Sequence, residues 1–121
     1  DAVEAEKATQ AIAKTMDPTY LRLTREKTPT FSTPESPFEI GKAYVVREGK
    51  DVSLIATGIM TPYSLLAAEI LSKKGVDVEV VHVPTIKPLD TETILASVKK
   101  TGRVVTAEDA QIAGGLGGAV A

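Results

Sequence analysis

The second half of the chain, from Asp51 to Ala121, alternates between short apolar runs and stretches with helical spacing. Val52–Thr57 and Val76–Val83 are mostly apolar, which is typical of strands buried on both faces. A third strand-like run covers Arg103–Glu108. Because strands that alternate with helices form a parallel sheet covered by helices, this pattern predicts a three-layer α/β fold.

Capping and terminating residues mark the helices between these strands. Thr61 is expected to cap the first helix and Pro62 to lie in its first turn. Asp90 is expected to cap the second helix, and Gly102 to end it. A last helix is expected to begin near Gly115. The apolar residues expected to face the sheet are Tyr63, Leu66, Ala67, Ile70 and Leu71 on the first helix and Ile94, Leu95 and Val98 on the second.

One further strand is predicted before this alternating region. Lys42–Arg47 alternates polar and apolar residues, and the turn residues Glu48–Asp51 follow it. This arrangement predicts a hairpin with the strand that begins at Val52. The sheet is therefore expected to be mostly parallel with one antiparallel edge strand.

The first 40 residues have a different character. Residues 1–15 lack glycine and proline and predict a helix, and Thr19–Thr24 alternates as a half-buried strand does. Residues 29–40 contain three prolines among serines and threonines and are interpreted as a linker. The chain begins without methionine and stops inside a helix-like segment, so we expect it to be a piece of a longer polypeptide.

Charge and composition argue against several classes of protein. A net charge of −2 gives no basic surface for nucleic acid, and no apolar run is long enough to span a membrane. One histidine and no cysteine argue against a zinc site. A cytoplasmic protein without a resident metal is expected.

The glycine run near the end of the chain is the first candidate site. Gly114, Gly115 and Gly117 precede a helix, where backbone amides attract anions. The dinucleotide fingerprint is incomplete because its third glycine is missing. The residues leave three interpretations open: nucleotide binding, which the glycine spacing argues against, a candidate site for another anion, or glycines that permit close packing of a helix against the sheet.

Polar residues near the predicted strand ends are the other candidates. Glu108 and Asp109 follow a strand and could form an acid/base pair or a solvated loop pair. The single histidine, His82, lies in a buried strand, where a core hydrogen bond is the usual role. Arg25 follows the predicted front strand, and its guanidinium could bind a phosphate or lie on the surface.

Taken together, these segments resemble the C-terminal domain of transketolase-like enzymes. The resemblance covers about 80 residues, and the front part resembles the last helix and strand of the family's pyrimidine-binding domain. It divides the chain into residues 1–28 of that domain, a linker at 29–40, and a truncated C-terminal domain at 41–121. The matching segments are Lys42–Gly49, Ile55–Gly58, Ala67–Leu71, Thr85–Asp90, and Thr106–Glu108 with Gly114–Gly117.

The resemblance implies part of an enzyme that uses thiamine diphosphate and Mg²⁺ to transfer a two-carbon ketol unit between sugar phosphates. The chain would support assembly with an N-terminal transketolase subunit in a homo- or hetero-oligomer, and would hold neither cofactor nor catalytic residue alone. Leu23-Thr24-Arg25 matches the family segment whose arginine holds the substrate phosphate, although Glu26 replaces a common glutamine. A deoxyxylulose-phosphate synthase, a 2-oxo acid dehydrogenase β subunit and a non-catalytic assembly module remain alternatives.

Overall fold

The computed structural model describes residues 1–121, which form two units, Asp1–Ile40 and Gly41–Ala121. The first unit contains one helix, α1 (Ala2–Ile12). The second unit contains four strands and three helices. In chain order these are β1 (Tyr44–Arg47), β2 (Val52–Ala56), α2 (Met60–Ser72), β3 (Val78–His82), α3 (Thr91–Thr101), β4 (Val104–Ala107) and α4 (Leu116–Val120).

In the first unit, two charged side chains tie the proline-rich segment to α1. The carboxylate of Asp1 caps α1 and also accepts hydrogen bonds from the backbone amides of Phe31 and Ser32, at 2.8 and 2.7 Å. The ammonium of Lys7 donates to the carbonyl oxygens of Thr33 and Ser36. The segment predicted to be a linker therefore has no regular structure, contains a turn at Thr33–Ser36, and is hydrogen-bonded to side chains of Asp1 and Lys7.

The strand predicted at Thr19–Thr24 is absent. These residues have no regular structure, and Tyr20 and Leu23 are largely exposed. A strand is stable only when neighbouring strands satisfy its amides and carbonyls, and the first unit contains no other strand. The alternation of polar and apolar residues at Thr19–Thr24 was therefore not sufficient to predict a strand.

The second unit is an α/β fold with a mixed four-stranded sheet in the order β1-β3-β2-β4. The pairs β2–β3 and β2–β4 are parallel, and β1–β3 is antiparallel. The predicted fold class is thus confirmed, with β1 as the single antiparallel edge strand.

The predicted hairpin is wrong in its partner: β1 pairs with β3 and not with β2. The short connection from Glu48 to Asp51 crosses the beginning of β3 instead of turning back. The amides of Lys50 and Asp51 donate to the carbonyl of Asp77, at 3.2 and 2.9 Å. All five residues of β3 are buried, because β1 and β2 pair with its two edges and helices pack on its two faces.

Helices cover both faces of the sheet and create two apolar clusters. Val78 and Val80 face α2, where they pack with Ala68. Ile55 and Val81 point to the opposite face, where they pack with Ile94 of α3 and Leu116 of α4. The alternation of the strands therefore assigns odd and even positions of β3 to different layers.

The stripe predicted to bury α2 is mostly on its outer side. Tyr63, Leu66 and Ile70 are 46%, 53% and 58% exposed, whereas Ser64 and Ala68 are buried. Small side chains let the helix approach the sheet closely, and this decides its orientation when apolar residues occur all around it. On α3, Ile94 is buried as predicted but Leu95 is exposed.

Helix ends follow the predictions in part. Asp90 caps α3 through a hydrogen bond from the amide of Thr93, and Gly102 ends it in the left-handed conformation. Thr61 does not cap α2, which has no side-chain cap and begins after Ile59. Its hydroxyl instead contacts Nδ1 of His82 at 2.7 Å. None of the four helices has both the length and the hydropathy that crossing a membrane requires.

Candidate functional site

The glycine-rich turn lies directly beyond the carboxyl end of β4. Gly115 precedes α4, and the carboxylate of Glu108 lies against this helix start. Oε2 of Glu108 accepts a hydrogen bond from the amide of Leu116 at 2.8 Å, and Oε1 accepts one from Gly117 at 3.0 Å. The chain thus supplies its own anion to the first amides of α4.

The glycines make room for this carboxylate. A Cβ atom at Gly115 would lie 2.2 Å from Oε2 of Glu108, and one at Gly117 would lie 3.1 Å from Oγ1 of Thr106. Gly114 adopts φ of 79°, which favours glycine. The close-packing interpretation of the glycine run therefore has a specific partner, Glu108. Binding of an external anion by Gly114, Gly115 and Gly117 stays a prediction, and such an anion would compete with that side chain.

A double-mutant cycle tests this arrangement. We expect Gly115→Ala to lower the free energy of unfolding by about 2 kcal/mol, because the new methyl group displaces a carboxylate that bonds two amides. In a Glu108→Ala background the same substitution should cost much less, since the obstructing atoms are gone.

Urea denaturation of the four proteins measures this coupling. Gly118→Ala is the matched control, because its Cβ would meet only Ile112 O at 3.7 Å. Additive losses in the double mutant would show that the glycine does not serve the carboxylate.

Arg25 lies in the first unit, in a bend after the irregular segment, and its side chain is exposed. The glycine-rich turn belongs to the second unit. The exposed guanidinium is accessible to a ligand, and its phosphate role stays a prediction.

The remaining candidates have ordinary structural surroundings. His82 is 2% exposed, and Oγ1 of Thr61 lies 2.7 Å from its Nδ1. This contact matches the core hydrogen bond expected for a buried histidine. Asp109 is exposed, and the carboxylate of Glu108 bonds the amides of Leu116 and Gly117. No group of three or more histidine, cysteine, aspartate or glutamate side chains is arranged to hold a metal ion.

One charged cluster was missed by the sequence reasoning. Glu79 lies in β3, is completely buried, and forms an ion pair with Lys100 of α3. Lys100 also donates to Oε2 of Glu48 at 2.7 Å. The Glu48 hydrogen bond is the largest cause of a raised pKa of Lys100, followed by the Glu79 hydrogen bond. The available signal was a glutamate inside an otherwise apolar run, Val78–Val81.

A buried polar layer adjoins this ion pair on the α3 side of the sheet. Ser53 stands beside Glu79 in the parallel register of β2 and β3. Oγ of Ser53 lies 2.7 Å from Oγ of Ser97 and 2.7 Å from Oγ1 of Thr101. These hydroxyl groups hydrogen-bond to one another. The uncharged layer therefore holds the C-terminal half of α3 against the sheet.

These features define an α/β domain with a mixed sheet, a buried ion pair, and a glycine-rich turn whose amides bond the carboxylate of Glu108. Residues 41–121 match the sequence model of the family described as "Transketolase, C-terminal domain". The chain belongs to this transketolase C-terminal domain family.

Relatives with known names extend this result. The chain is 49% identical over 104 residues to the 6-deoxy-6-sulfo-D-fructose transketolase subunit SqwH of Clostridium sp. (strain MSTE9), covering 86% of this chain and 32% of that protein. It is 49% identical over 86 residues to the pyruvate dehydrogenase E1 component subunit beta of Staphylococcus aureus (strain Mu50 / ATCC 700699), covering 71% of this chain and 26% of that protein. The chain thus spans about a third or less of these relatives.

A solved structure has the same fold over nearly the whole chain. It is titled "Split gene transketolase, inactive beta4 tetramer" and matches with a TM-score of 0.96 and 41% identity. The match covers 99% of this chain and 40% of that one. The predicted resemblance to the C-terminal section of transketolase is therefore confirmed.

Proposed function

We propose that the chain is the C-terminal portion of a thiamine diphosphate-dependent transketolase that transfers a two-carbon ketol unit between sugar phosphates. The match of 99% of the chain to a split-gene transketolase carries this proposal. Residues 1–28 would end the pyrimidine-binding domain, residues 29–40 would link the domains, and residues 41–121 would form the C-terminal domain. The position of the unit boundary after Ile40 and the family match from residue 41 support this division.

Thiamine diphosphate and Mg²⁺ do not fit this chain by itself. It offers no cluster of carboxylate or imidazole groups for the metal, and the first amides of α4 already bond Glu108. The proposal therefore assigns the cofactor and its metal to the remainder of the parent enzyme. An N-terminal transketolase subunit or domain would be the partner, within a homo- or hetero-oligomer, and the isolated chain would be inactive.

The substrate contact that we propose within this chain is Arg25. Its guanidinium is exposed, with a planar set of donors that can make two parallel bonds to phosphate oxygens. Leu23-Thr24-Arg25 also resembles, in part, the segment expected to hold the substrate phosphate in this family, with Glu26 in place of a common glutamine. The chain would thus bind and orient the phosphate end of the sugar while the reacting carbon lies elsewhere in the parent enzyme.

In the complete parent enzyme, Arg25→Gln should lower kcat/KM for xylulose 5-phosphate about thirtyfold, because a charge-assisted contact to phosphate is lost. Activity with hydroxypyruvate as donor and an unphosphorylated aldehyde as acceptor should be unchanged, because neither substrate carries a phosphate. Arg22→Gln is the matched control, since Arg22 is an exposed arginine three residues away. Equal losses with both substrates would mean that Arg25 maintains structure, and unchanged kinetics with xylulose 5-phosphate would refute the phosphate role.

The β subunit of a 2-oxo acid dehydrogenase is the second candidate function. The 49% identity to a pyruvate dehydrogenase E1 beta subunit specifically favours it. Such an enzyme uses an unphosphorylated acid, so Arg25 would have no phosphate to bind. Assaying the parent enzyme with pyruvate and with xylulose 5-phosphate separates the two candidates, because each predicts turnover of only one substrate.

A further inference from the structure

The cleft between β1 and α3 contains a buried carboxylate that its own chain satisfies only in part. Glu79 forms the bottom of this cleft, and its side chain is 1% exposed. Lys100 pairs with Oε2, while Oε1 is buried without a hydrogen-bond partner. A buried carboxylate oxygen without a donor is unfavourable, because burial removes the hydration that stabilises its charge.

The cleft is open and large enough to admit a side-chain-sized group. Its volume is about 340 Å³. Val45 and Ala96 provide apolar lining, and Glu92 and Thr93 lie on the α3 side. The hydroxyl of Thr93 donates to Oδ2 of Asp90 at 2.9 Å, which leaves its oxygen able to accept from a ligand.

The charges around the cleft favour a cation. Glu79 and Glu92 line it, and Glu48 lies beside Lys100 at 2.7 Å. Lys100 supplies one positive charge and is shared between Glu48 and Glu79. The three carboxylates therefore outnumber the single ammonium, and Glu79 and Glu92 would repel an anionic ligand in the cleft.

We propose that this cleft binds an alkylammonium group, a single positive charge with N–H donors carried on a short aliphatic stem. The ammonium would donate to Oε1 of Glu79 and to Glu92 and Thr93, while the stem would contact Val45 and Ala96. A free amine and a lysine side chain of another protein share this chemistry. The inference concerns residues of the second unit and does not depend on the transketolase proposal or on Arg25.

The test is a titration of the full chain with n-butylammonium, followed by NMR of the methyl groups of Val45 and Ala96. Saturable, site-specific shifts in the millimolar range are expected. n-Butanol should give no saturable shifts, because it has the stem without the charge, and neither should potassium chloride at equal ionic strength. Nα-acetyl-lysine N-methylamide carries a free lysine ammonium on a peptide backbone. It distinguishes a lysine side chain of another protein from a free amine as the ligand. Its binding supports a protein partner, and binding of n-butylammonium alone supports a small amine.

Three variants locate the binding. Glu79→Gln keeps the side-chain volume and removes the charge, so it should weaken n-butylammonium binding about tenfold. Glu92 lies on an exposed part of α3, so Glu92→Gln should leave the fold intact. This variant should weaken binding severalfold even if the Glu79 variant does not fold. Glu69→Gln, on the exposed side of α2, is the control and should bind as the original chain does.

The proposal is overturned by either of two results. One is the absence of saturable shifts at Val45 and Ala96. The other is equal affinity in the original chain and in Glu92→Gln and Glu79→Gln, which would mean that the cation binds the surface without using the cleft.

Discussion

Replacing Gly49 with alanine should destabilise the second unit by about 3 kcal/mol or more. An added Cβ atom would lie 2.2 Å from the backbone nitrogen of Glu79 and 2.2 Å from the carbonyl carbon of Val78. These atoms belong to β3, which is hydrogen-bonded on both sides and cannot move aside. The loss would be a large share of the roughly 5–15 kcal/mol that stabilises an ordinary domain.

The crossing connection explains why this position has no space for a side chain. The chain leaves edge strand β1, passes over the start of β3 and enters β2 on its far side. The amides of Lys50 and Asp51 bond Asp77 O, and Oδ2 of Asp51 accepts from the Asp77 amide at 2.7 Å. Moving the connection outward to accept a methyl group would break these bonds.

Gly58→Ala is the matched control for this prediction. Gly58 has φ of 54° and no atom within 4 Å of an added Cβ, so its substitution costs only backbone strain of about 1 kcal/mol. Urea denaturation of both variants, followed by circular dichroism, gives the difference due to steric overlap. If Gly49→Ala loses no more stability than Gly58→Ala, the connection does not lie against β3 as described.

The predictions that came true are those in which local chemistry and long-range packing agree. Val52–Thr57 and Val76–Val83 are mostly apolar, which favours strands covered on both faces. Asp90 and Gly102 mark the ends of α3 because capping depends on neighbours a few residues away. The alternation of strands and helices then predicts a mostly parallel sheet with helices on its faces.

The predictions that failed depend on partners distant in sequence. The pattern at Lys42–Arg47 identifies an edge strand, but nothing local states that its neighbour is β3 and not β2. Thr19–Thr24 has the composition of a strand and finds none to pair with in its unit. On α2, apolar residues surround the helix, so periodicity could not identify Ser64 and Ala68 as the buried side.

The candidate sites show the same division. The glycine run was recognised as a helix start, whereas the carboxylate that occupies it comes from Glu108, several residues earlier. Glu79 was an evident anomaly in an apolar strand, but its partner Lys100 lies on another element. Sequence patterns located the glycine run but not the Glu79 cluster, and only the fold showed which polar groups meet.

Replacing Asp90 with alanine should strongly destabilise the second unit. Oδ2 of Asp90 accepts from the buried amide of Ala43 at 3.0 Å, and its Oδ1 accepts from the amide of Thr93 at 3.1 Å. Asp90→Ala removes the cap of α3 and leaves the Ala43 amide buried without an acceptor. The expected loss in the free energy of unfolding is about 3 kcal/mol, measured by urea denaturation at neutral pH.

Asp90→Asn removes the charge but keeps one of the two acceptor oxygens. An amide side chain has one oxygen, so it can replace only one of the two acceptor atoms, and the expected loss is about 1 kcal/mol. Thr91→Ala is the control, because Thr91 is exposed at the start of the same helix. A loss in Asp90→Ala no larger than that in Thr91→Ala would show that the Ala43 contact contributes nothing.

The pH dependence of the same residue gives a second, independent readout. The Ala43 amide is the largest cause that lowers the pKa of Asp90, and burial opposes it. Since the folded pKa lies below the unfolded value of about 4, the ionised carboxylate stabilises the fold above pH 4. That contribution should disappear as the pH falls through the lowered folded pKa. The stability difference between the original chain and Asp90→Asn should therefore be constant from pH 5 to 7 and shrink below pH 4; a difference that does not shrink would show that the charge of Asp90 has no part in it.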